Sequence, residues 1–134
     1  HWERNLPNTA RVELGAWSSP RRTSWTTNLG IAIGAASGPK ILVAHSLGCL
    51  AVAWWASQEP DTGKHDIIGA LLVAPPSVDN CPLDSRLANF APAPRVVLPF
   101  PTILVGSGKI GAPMGRTLCQ RRTVQAYQCR IGNR

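Results

Sequence analysis

Unbroken apolar runs alternate along this chain with segments whose apolar residues recur at helical spacing. Lys40-Ile41-Leu42-Val43-Ala44 is the clearest run, bounded by Gly38-Pro39 on one side and a sharp change of pattern on the other. Ile67–Ala74 is a second, closed by Pro75-Pro76, and Pro101–Gly106 is a third. Short continuous apolar runs between breakers predict strands buried on both faces. Between them, Ser24–Ala36 places Trp25, Leu29, Ile31 and Ile33 at helical intervals, although Gly30 and Gly34 weaken the helix. Leu47–Ser57 is rich in Ala, Leu and Trp and predicts a buried helix. Arg11–Leu14 is a short strand candidate, and Leu83–Phe90 is a weak helix candidate in a Pro-rich stretch. Strands alternating with helices imply an α/β domain, a three-layer sandwich around a mainly parallel sheet.

From Gly108 onward no period of 2 or 3.6 remains, which divides the chain into a domain at 1–107 and a basic tail at 108–134. The formal charge of +7 changes meaning once it is located. Residues 1–107 hold eight Lys/Arg against seven Asp/Glu, whereas 108–134 hold six Lys/Arg and no acid. Tyr127 is the tail's one ring, so a stacking platform for nucleic acid is not expected, nor is a nucleic-acid partner. Cys49, Cys81, Cys119 and Cys129 form no C-x-x-C pair and no zinc-like spacing with histidine, so no metal site is expected. Free thiols in a reducing, cytoplasmic compartment are the expectation, a Cys119–Cys129 disulfide the alternative. No apolar run nears the roughly 18 residues of a membrane span, and no basic n-region followed by an apolar h-region opens the sequence, so neither a span nor a signal peptide is expected.

Ala44-His45-Ser46-Leu47-Gly48 joins the best strand to the best helix. In a nucleophile elbow a serine occupies a strained strand-to-helix turn that lifts its hydroxyl clear of the sheet. The residues two before and two after it then come close together, and Ala44 and Gly48 are small enough. The helix opening at Leu47 would aim its N-terminus at the reacting centre, with the Leu47 N–H as one oxyanion donor. The competing reading is a βα turn in which Ser46 caps the helix. His45 reads as a neighbour of the serine rather than its base, and Cys49 as a small buried hydrophobe. Trp54 and Trp55 read as packing residues, and no cofactor is expected. Asp61, Asp66, Asp79 and Asp84 read as loop or turn carboxylates.

Ile41–Val52, Gly69–Pro76 and Leu98–Ser107, with His1-Trp2, Trp17 and Trp25, make residues 1–107 resemble the retinoblastoma-binding-protein-9-like serine hydrolases. That family belongs to the α/β-hydrolase superfamily. The resemblance implies a Ser–Asp–His triad, in that chain order, cleaving small esters or amides through an acyl-enzyme. Ser46 alone carries over. Where the family has its acid this chain has Gly108, Lys109 and Ile110, and no histidine follows His65. The family's first strand and glycine-rich loop, source of a second oxyanion donor, precede the His-Trp pair at which this sequence starts. The resemblance therefore implies a hydrolase domain incomplete at both ends, with a late start and a tail from a changed reading frame or a divergent one. The expected substrate is a small acyl ester or amide, with impaired catalysis. The alternative is a non-catalytic module that binds a protein partner on a hydrolase scaffold.

Overall fold

A computed structural model describes residues 5–79 and 84–106. The elements in chain order are α1 (Arg22–Ala35), β1 (Lys40–His45), α2 (Leu47–Gln58), β2 (Ile67–Val73) and β3 (Thr102–Val105). Short 3₁₀ turns cover Thr62–His65 and Ala88–Phe90. The three strands form one sheet in the order β1-β2-β3, parallel throughout. Ala44 lies opposite Leu72 and Leu72 opposite Leu104, so all carboxyl ends point the same way. The expected strands are thus neighbours in an α/β sheet, each within a residue or two of its expected bounds.

The helices form for the reasons their spacing gives. α1 buries Trp25, Leu29 and Ile33, four residues apart on one stripe. α2 is buried nearly all round, from Leu47 to Ala56. Gly30 is the contact point between them, because a Cβ there would stand 3.1 Å from the Trp55 indole nitrogen. The glycine that weakens α1 as an isolated helix is what lets α2 approach it. Leu50 and Leu72 are fully buried at the centre of the shared core, where each contributes about 1.5–3 kcal/mol of apolar transfer.

Three expectations need correction. Arg11–Leu14 is not a strand. Side chains of α1 take up the backbone there instead: Asn28 donates to Leu14 O at 2.9 Å and the Trp25 indole to Gly15 O at 2.8 Å. The helix expected over Leu83–Phe90 is reduced, among its described residues, to a turn and the 3₁₀ segment Ala88–Phe90. The strands are not buried on both faces among the described residues. Both helices share one core with Leu42, Ala44, Ala70, Leu72 and Leu104, while Ile41, Val43 and Val105 on the other face are 43–51% exposed. The tail at 108–134 and the Cys119–Cys129 pairing lie outside the described residues.

Candidate active site

Ser46 stands at the carboxyl end of β1, between His45 and the first residue of α2. Its backbone has φ 52° and ψ −126°, a region that side-chain-bearing residues rarely occupy and that costs about 1–3 kcal/mol. Three contacts hold it there. The Ser46 N–H donates to Val73 O at 2.9 Å, tying the turn to the end of β2. Ser46 O accepts from the Cys49 N–H at 3.0 Å, closing the turn into the helix. Ala44 and Gly48 approach as expected: a Cβ on Gly48 would stand 3.6 Å from the Ala44 Cβ. An alanine would fit at that distance.

Ser46 makes no side-chain capping bond to α2, and its backbone is not in the extended conformation that capping serines adopt. The capping alternative therefore fails. Ser46 is a half-buried residue. Leu47 opens α2 with a buried side chain. A first-turn N–H has no acceptor within its own helix, so that of Leu47 is available to an anion at the turn. Cys49, one turn into α2, is 2% exposed, and burial pushes its thiol up to about 11. Its Sγ lies 3.3 Å from Val73 O and 3.5 Å from Ala44 O.

The other titratable residues fall into two groups. His65 sits just before β2, at the amino end of the sheet, opposite to Ser46. Its Nε2 is 3.2 Å from Glu59 Oε2, its ring meets Trp55 edge-on, and its carbonyl accepts from Lys40 Nζ at 2.9 Å. Lys64 lies 3.0 Å from the same Glu59, whose carboxyl it holds below the usual range by a side-chain hydrogen bond. This cluster staples the end of α2 to the start of β1 and β2. Asp66, in the left-handed conformation at φ 56°, belongs to it through its carbonyl, which accepts the Lys40 N–H. His45 adjoins Ser46 and is exposed, and His1 lies outside the described residues.

Asp79 follows β2 at the Ser46 end of the sheet, where its Oδ1 accepts the Ala93 N–H at 2.8 Å. Asp84 is engaged by Arg86 through side-chain and backbone hydrogen bonds, which hold its carboxyl down at about 2. The Asp61 N–H donates to Glu59 Oε1, at the far end with the His65 cluster. Among the described residues, then, the structure brings Ser46, Leu47 and Cys49 together and sends His65 to the opposite pole. No group of three or more His, Cys, Asp or Glu among the described residues is arranged to hold a metal ion. Sequence reasoning missed Val73, whose carbonyl receives both the Ser46 amide and the Cys49 thiol. Its role depends on the pairing register of β1 with β2, which no local motif encodes.

A family model described as serine hydrolase matches residues 1–125, a span that crosses the composition break at Ser107. No curated protein and no solved structure matches the chain.

Proposed function

The chain belongs to the serine hydrolase family, and from that premise we propose that it is an esterase-like member, akin to the retinoblastoma-binding-protein-9-like branch. Its substrate class is a small ester or amide, and its nucleophile is Ser46 at a nucleophile elbow. The Ser46 Oγ attacks the acyl carbonyl while a base removes its proton, the alcohol or amine leaves, and water later releases the acyl group. The Leu47 N–H donates to the oxyanion of both tetrahedral intermediates, aided by the α2 dipole. One observation carries this reading: Ser46 holds φ 52° without capping the helix it precedes. A strained serine that does no structural work for its helix is what presentation of a nucleophile requires.

The base is the weak part of this chain. Of its three histidines, His65 is at the wrong end of the sheet and His45 adjoins the serine, where neighbouring side chains diverge. We therefore read catalysis as impaired, since an unactivated serine loses several powers of ten in rate. That same placement of His65 favours the second reading, a non-catalytic protein-binding module on a hydrolase scaffold. Cytoplasmic location is part of the proposal, in keeping with the free Cys49 thiol. No helix among the described residues is long and apolar enough to cross a membrane.

Fluorophosphonate labelling separates the two readings. The enzyme reading expects slow labelling that Ser46→Ala abolishes, with p-nitrophenyl acetate turnover barely above background. Absence of label would leave the binding module. Brisk turnover lost in Ser46→Ala would refute the impairment and bring His45 and His1 forward as bases.

A further inference from the structure

Cys49 carries a buried nucleophilic atom that the proposed chemistry leaves idle, and its surroundings are more ordered than those of a space-filling hydrophobe. It holds Ser46 from two sides. Its backbone N–H binds Ser46 O at 3.0 Å, while its Sγ lies 3.3 Å from Val73 O, the carbonyl that accepts the Ser46 N–H at 2.9 Å. The same sulfur lies 3.5 Å from Ala44 O, on the strand that leads into the turn. A thiol has one proton, so these two carbonyls share it. The thiol keeps that proton at neutral pH, and burial pushes its ionisation further away, to about 11.

Resting on the reading of Ser46 as the nucleophile, we propose that Cys49 is a positioning residue for it. The S–H steers Val73 O toward the Ser46 amide and ties the ends of β1 and β2 together beneath the turn. Ser46 is thereby held in a conformation that it would otherwise leave. The thiol acts on the serine through two carbonyls and touches no substrate.

The test compares Cys49→Ser, which keeps a donor, with Cys49→Ala, which loses it, and with Cys49→Val, which loses it while filling the site with a slightly larger apolar side chain. Two measurements are made on the whole chain: amide hydrogen exchange of Ser46 by NMR, with the Leu72 amide as control, and the rate of fluorophosphonate labelling. Loss of one weak hydrogen bond should speed Ser46 exchange about three- to ten-fold in C49A and C49V, leave Leu72 unchanged, and be largely restored in C49S. Labelling should fall in the same order. Equal Ser46 exchange in all variants would overturn the proposal, as would a rise in C49S equal to that in C49A, which would mean packing alone. If C49A does not fold, C49V carries the comparison. If the wild-type chain takes no label, the nucleophile reading fails, yet the exchange data still decide the role of Cys49.

Discussion

Replacing Ser46 by glycine should make the protein more stable, whereas replacing it by alanine should not. At φ 52° and ψ −126° the serine Cβ is confined to a backbone region worth about 1–3 kcal/mol of strain. Glycine enters that region freely but costs about 0.4–1 kcal/mol through the entropy of the unfolded chain. The net gain for S46G is therefore between zero and about 2.5 kcal/mol. For a chain of this size that corresponds to a rise in Tm of up to about 10 °C. S46A keeps the Cβ, and with it the strain, and loses only a half-buried hydroxyl, so its change should stay within about 0.5 kcal/mol. Urea unfolding of the three proteins, followed by tryptophan fluorescence and checked by thermal melts, measures the difference. An S46G midpoint at or below that of S46A would show that the turn stores no more strain than the entropy glycine costs, about 1 kcal/mol at most, and would undercut the observation on which the proposed function rests.

Two further outcomes follow from the same contacts. The folded state binds the Cys49 proton more tightly than the unfolded chain does, with the thiol raised from 9.0 to about 11. Its contribution to stability should be intact below pH 9 and lost as pH rises through 11, so urea midpoints of the wild type should fall there relative to C49S. A parallel fall in both would contradict the buried-thiol reading. Asn89 accepts the Arg22 N–H at 2.7 Å and donates to Pro20 O at 3.0 Å, docking the 3₁₀ turn onto the start of α1. Asn89→Ala should cost about 1–2 kcal/mol in urea unfolding, and Asn89→Asp, which keeps the acceptor, clearly less.

The strands were legible because each is a short apolar run between glycine or proline breakers, a pattern that leaves few alternatives. Arg11–Leu14 alternates charged and apolar residues, another strand signal, and is not a strand. Whether such a segment joins a sheet depends on what satisfies its backbone, and here Asn28 bonds to Leu14 and Trp25 to the adjoining Gly15, fourteen and ten residues away in sequence. The Pro-rich stretch around Phe90, Leu98 and Phe100 offered no periodicity, yet all three are buried. Irregular backbone can fill a core without a repeating pattern to announce it. At the candidate site, Ser46, Ala44 and Gly48 could be read locally because a strand-to-helix turn is a local device. Val73 could not, and neither could the placement of His65, because both depend on how β1 and β2 align.

Parallel strands give this domain two poles that share no side chain. Ser46, Cys49 and the end of β2 form one; Lys40, Glu59, Lys64 and His65 form the other, roughly 20 Å away along a six-residue strand. Sites that far apart without common partners contribute to stability almost additively. In evolutionary terms the two ends are separate currents of change. Lineages descending from this chain can rebuild the Glu59–His65 staple, or lose it, while the conformation of Ser46 is left untouched. Drift at the serine pole, in turn, leaves the joint between α2 and the sheet as it was.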